Sequence, residues 1–119
     1  MLQISPTAHI FVVHDSVSFN MGFDGLIGFC RRVLRVEPMN GAYFVFHSRT
    51  RKQLRVLVYD GDGWWLATKR FSKGSVKHWP KGGQQMSKIA ARELMLLLWR
   101  GSPKGADYSD FWSRVDGGD

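Results

Sequence analysis

Residues 42–71 read AYFVFHSRTRKQLRVLVYDGDGWWLATKRF. Three runs rich in β-branched and aromatic side chains stand out, Ala42–His47, Leu54–Tyr59 and Trp64–Phe71, each of strand length. The last two are separated by Asp60–Gly61–Asp62–Gly63, whose glycines supply the positive φ angles that a tight hairpin needs. The first two are joined by the polar, basic Ser48–Gln53. Connections this short cannot join parallel strands, so the three runs form an antiparallel meander.

Upstream, His9–His14 (HIFVVH) is a short apolar run that reads as a further strand. From Phe19 the period changes: Phe19, Phe23, Leu26, Ile27, Cys30 and Val33 or Leu34 recur at spacings of three and four, which predicts a helix over about 19–35 with Ser18 as N-cap. Gly22 and Gly25 each cost about 1 kcal/mol against Ala inside a helix, so close packing is expected there. Arg31, Arg32 and Arg35 suit the negative end of the helix dipole in the last turn, and Pro38 ends the segment. Downstream, Ser72–Pro80 reads as a short edge strand and Lys81–Gln85 as a linker. Ser87 caps a second, Leu-rich helix over 88–100 that Gly101 and Pro103 close. The expected architecture is a single α+β domain over residues 1–103, an antiparallel sheet of about four strands with two helices packed mainly on one face. An acidic, Gly-rich tail follows over 104–119.

The 119 residues, 44% of them hydrophobic, suit one domain with a packed core, and no apolar run nears the roughly 20 residues that span a bilayer. The first twenty residues show no secretory pattern. One cysteine, Cys30, sits in the apolar helical stripe and makes no internal disulfide, which points to a reducing, cytoplasmic compartment. Charge is concentrated rather than spread. The net +7 comes from residues 47–92, which hold eleven Lys and Arg against Asp60 and Asp62, while residues 1–46 balance and residues 93–119 are net acidic. A local excess of this size suits a polyanionic partner.

Within that segment, His47, Arg49, Arg51 and Arg55 share one parity, with Lys52 beside them, and would project from one face of an extended ribbon. A hairpin turning at 60–63 sets Arg55 near Lys69. Lys69, Arg70, Lys73 and Lys77 should then meet the first basic group at one end of the sheet, with Lys88 and Arg92 joining from the second helix. Tyr59, Trp64, Trp65 and Trp79 interleave, and Trp65 and Trp79 are the candidates for stacking on unpaired bases. The Asp60–Gly63 turn lacks the oxygen ligands of a calcium loop, and His9, His14, His47 and His78 lack zinc-ligand spacing, so no metal and no cofactor is expected. His47 and His78 could in principle act as acid and base on RNA, but no nucleophile triad or phosphate loop appears, and a non-enzyme is expected.

Five ordered segments then bear a family likeness: Gly22–Phe23–Asp24–Gly25–Leu26; Pro38 and Gly41 before Tyr43–Phe44–Val45–Phe46; Tyr59–Asp60–Gly61–Asp62–Gly63–Trp64; Lys69–Arg70; and Trp79–Pro80. Over residues 18–80, and more weakly over the Leu-rich helix, the chain resembles the small accessory protein, often called TnpB, of bacterial insertion sequences of the IS-sixty-six type. The resemblance implies a role in transposition beside a transposase that is a separate polypeptide. Positions 20 and 21, commonly basic in that family, are Asn20 and Met21 here, and position 47, often Arg, is His47. The expectation is therefore a DNA-binding accessory factor working through its central strands. A protein–protein adaptor that docks the transposase through the Leu-rich helix, with a homodimer open, is the alternative from another class.

Overall fold

The three inner strands are packed on both faces, and that decides the architecture. In the computed structural model, which describes residues 4–100, the elements are β1 (Ile10–Val13), α1 (Phe23–Arg32), β2 (Tyr43–His47), β3 (Gln53–Tyr59), β4 (Trp64–Arg70), β5 (Met86–Ile89) and α2 (Ala91–Arg100). They build one five-stranded sheet in the order β4-β3-β2-β1-β5. The meander is present as expected, with Phe46 opposite Arg55 and Val56 opposite Ala67. Its turn holds Gly61 at φ 95°, and the Asp60 carboxylate accepts from the Asp62 and Gly63 amides at 2.8 Å.

The sheet is mixed rather than antiparallel, and it has five strands rather than four. β1 runs parallel to β2, pairing Phe11 with Phe44, because the long connection between them contains α1 and can cross over the sheet. β5 runs antiparallel to β1, with Val13 opposite Met86. Within residues 86–89, Ser87 was expected as the helix cap and 88–89 as the helix start. Their two apolar positions, Met86 and Ile89, fit a helical stripe as well as a strand, and pairing with β1 decides between them. Ser87 consequently caps nothing; its hydroxyl lies 2.6 Å from His14 Nε2. The Glu93 carboxylate instead reaches back to the Ala90 amide at 2.8 Å at the start of α2. Residues 72–80, expected as an edge strand, form no strand.

The helices cover opposite faces, not one. Leu26, Ile27 and Cys30 of α1 pack with Val13, Phe44, Phe46 and Leu57. Leu94 and Leu97 of α2 pack on the other side with Ile10, Val12, Val45, Leu54 and Val56, joined by Val76 and Trp79. Strands covered on both faces read as near-continuous apolar runs, which is how β1 and β2 read.

The first helix is shorter than its stripe. Its N-cap is Gly22, in an extended conformation and without a side-chain cap, while the Ser18 hydroxyl accepts from the Asn20 amide in the preceding turn. Gly25 answers to close packing, since a Cβ there would sit 2.9 Å from Met21 Cβ; Gly22 has open space. Arg35 lies beyond the last turn, at φ 59°, and the Val36 amide closes back on the Cys30 carbonyl at 3.0 Å. Burial pushes the Cys30 thiol up to about 12, which keeps it protonated within the core. The expected close of the second helix at Gly101 and Pro103, and the acidic tail, lie outside the described residues.

Candidate nucleic-acid interface

β1 and β2 end side by side, and the β2–β3 connection, the end of β4 and the start of β5 gather around them. The β2–β3 connection is a tight loop. Ser48 bonds Gln53 O at 3.1 Å, Arg51 bonds Ser48 O at 2.9 Å, and Arg51 takes φ 58°. After β4 the chain wraps this loop: the Phe71 amide donates to Lys52 O and the Val76 amide to Arg51 O, each at 2.9 Å. Val76 and Trp79 then drop into the α2-side core. The Trp79 indole donates to Val13 O at 2.8 Å, and its ring centroid lies 4.6 Å from that of His47. An irregular segment with no strand pairing of its own is thereby fastened to the end of the sheet.

The consequence is electrostatic. Arg49, Lys52, Arg70, Lys73 and Lys77 are exposed and Arg51 is half-buried; five of the six belong to these two interlocked segments, and Arg70 is the last residue of β4, directly before the second of them. Arg51 spans them, with a long contact of 3.4 Å to Lys77 O. Among the described residues none of the six forms an ion pair; the pair present joins Arg31 and Glu37 at 2.9 Å, and each holds the other charged. Of the carboxylates, Asp15 follows β1 at this same end, and Glu93 lines a cavity beside Arg51 and Lys77.

Other expected site residues lie elsewhere. Arg55 does not share a face with His47. Residues opposite each other across a hairpin share a face, and Leu54, not Arg55, is opposite His47. The tight loop thus exchanges the parity of β2 for that of β3. Arg55 points to the α1 side, where Nη1 donates to Met21 O at 2.7 Å and the guanidinium lies 4.5 Å over the Phe19 ring. Lys69 is opposite Leu54, not Arg55, and flanks the α2 side near Phe71 and Trp99. Lys88 is in β5, opposite Phe11, rather than in the second helix.

Trp79 is only 6% exposed and is an anchor of the core rather than a surface platform. Trp65 is 58% exposed but stands at the hairpin-turn end, opposite Val58, with its indole donating to the Asp60 carboxylate at 2.6 Å. Five residues of strand, about 17 Å, separate it from Arg70. The two backbone amides and this indole hold the Asp60 carboxyl below the usual carboxylate range. His47 is 5% exposed, and its Nδ1 and Nε2 each lie 2.8 Å from a backbone carbonyl oxygen, of Ser48 and His14. With both ring nitrogens turned to the backbone, His47 has none left for a ligand, whereas His78 is exposed. What the sequence reading missed is the wrap of 71–80 around the loop, for which Val76 and Trp79 in a polar stretch were the available signal.

The segments that carry the family likeness sit at the joints of this fold: the start of α1, the middle of β2, the hairpin turn, the end of β4 and the Trp79 anchor. The family described as IS66 Orf2 like protein matches residues 8–104. The chain belongs to that family. Membership ties it to insertion sequences and transposition, and the match takes in β1, β5 and α2 as well as the meander. Among similar proteins, the uncharacterized protein y4hO of Sinorhizobium fredii is 30% identical over 104 residues, covering 84% of this chain and 90% of that one. The uncharacterized protein y4jC of the same organism is 32% identical over 74 residues, 62% of this chain and 63% of that one. No solved structure matches the chain. Among the described residues no helix is long and apolar enough to cross a membrane.

Proposed function

We propose that this IS66 Orf2-like protein is a non-catalytic accessory factor of DNA transposition that binds nucleic acid through the basic end of its sheet. The observation that carries this reading is the convergence of Arg49, Arg51, Lys52, Lys73 and Lys77 on two segments locked together by backbone hydrogen bonds, with Arg70 at the adjoining end of β4, none of the six in an ion pair among the described residues. Phosphate contacts from exposed Lys and Arg give affinity with little sequence readout. Six such contacts correspond to a slope of log K against log salt near −5, and a loss of about 10³ in affinity between 50 and 200 mM salt. Titrating short duplexes across that range tests it. Absence of binding at 50 mM salt contradicts the reading.

One observation favours the adaptor alternative as a second role. On the α2 side, Val56, Ala67, Met95, Leu98 and Trp99 line a largely apolar groove of about 360 Å³ beside the exposed edge strand β4, and Trp99 is 53% exposed. Co-purification of the transposase with wild type but not with Trp99→Glu would support it.

A further inference from the structure

Beside the wrapped loop lies a cavity of about 440 Å³ whose lining is of two kinds. Its apolar lining is Trp79, Pro80, Ile89 and Leu97; Pro80 and Ile89 are half-buried, while Leu97 and Trp79, the latter held by its bond to Val13 O, present only a small exposed area. The polar lining is Arg51, Lys77 and Lys81, with the imidazole of His78 and the carboxylate of Glu93. A phosphate alone would satisfy the cations and leave the apolar walls wet. A hydrocarbon would do the reverse. A nucleotide has both parts, a planar base for the walls and a phosphate for the cations, and the volume falls in the range of small-ligand sites. Glu93 repels a phosphate and offers an acceptor to a base's exocyclic amine. A base inside a duplex is stacked on its neighbours and cannot enter such a cavity without being extruded.

We propose that this cavity receives one unpaired nucleotide of the bound DNA, so that the protein prefers single-stranded DNA or strand ends over continuous duplex. The inference rests on the nucleic-acid reading above and adds base recognition to phosphate tracking. The test is fluorescence anisotropy at fixed salt with three probes: a mixed-sequence octanucleotide, the same backbone with every base removed, and a blunt duplex. The octanucleotide should bind about tenfold more tightly than the abasic strand, as expected for one stacked base. Ile89→Trp, which sets an indole against the apolar wall where the base would lie and leaves the cations in place, should bring the octanucleotide to the abasic level while duplex affinity stays within twofold. A thermal melt checks that this variant is folded, and the abasic comparison needs no variant at all. Equal binding of octanucleotide and abasic strand overturns the cavity's role and leaves the phosphate surface standing. A preference that a folded Ile89→Trp retains places the base elsewhere and also overturns it. No binding of any probe overturns the nucleic-acid reading itself, and the cavity proposal with it.

Discussion

The two ends of the β3–β4 hairpin are both rich in charge, yet they use it differently. At the turn end, Asp60 accepts from two amides and the Trp65 indole, so its charge closes the hairpin. At the far end, the backbones of the β2–β3 loop and of residues 71–77 are bonded to each other, while the side chains of Arg49, Lys52, Lys73 and Lys77 stand in solvent. Arg55, in the same strand, belongs with the first kind, since it is absorbed by Met21 and Phe19. Basic charge at this hairpin is therefore of two sorts, structural and unpaired, and only the second is available to a partner.

Trp79→Ala strikes hardest at this division, because it unfastens the segment that carries Lys73 and Lys77. Loss of a buried aromatic and its indole hydrogen bond is expected to cost about 3–5 kcal/mol, measured by urea unfolding. A cost under 1 kcal/mol would mean that the wrap is not held by this anchor. Next, Arg55→Met should destabilise by about 1–3 kcal/mol by leaving Met21 O without its donor, while DNA affinity stays within twofold. A large fall in affinity in a folded Arg55→Met protein would erase the distinction between structural and unpaired cations. The smallest effect belongs to Asp60. Its carboxyl is held low in the folded chain, so its stabilisation is complete above the unfolded value near 3.9 and is lost as pH falls through the folded one. The difference in Tm between wild type and Asp60→Asn should accordingly be steady from pH 7 to 5 and shrink toward pH 3.

Much of this was legible in the chain. The meander, its turn at Asp60–Gly63 and both helices follow from local pattern, and the gathering of basic residues at one end follows from the turn's position. Two features depend on information that local pattern lacks. The parallel pairing of β1 with β2 and the capture of Met86–Ile89 as β5 are long-range events that the short polar–apolar string MSKI does not announce. The placement of the helices was legible in principle, since Tyr43–Phe46 offers no polar side for a solvent-facing surface. Arg55 was misplaced because an extended ribbon was assumed where Arg51 turns left-handed and reverses the parity. Trp79 was one of two candidates for stacking on bases, beside the core reading, and its burial depends on the wrap that brings it over His47.

The central claim, that affinity for DNA comes from one end of the sheet rather than from net charge, is tested most directly by two charge reversals of equal size. Arg49→Glu with Lys73→Glu changes the basic end; Arg32→Glu with Arg35→Glu changes exposed cations at the close of α1. Both should leave the protein folded: the first within about 0.5 kcal/mol, as surface substitutions do, the second costing about 1 kcal/mol, because it sets anions at the negative end of the α1 dipole. The account predicts that the first pair lowers duplex affinity at 100 mM salt at least tenfold and flattens the salt slope by about 2, while the second pair changes affinity less than threefold. An equal loss in both variants, or none in either, would contradict it.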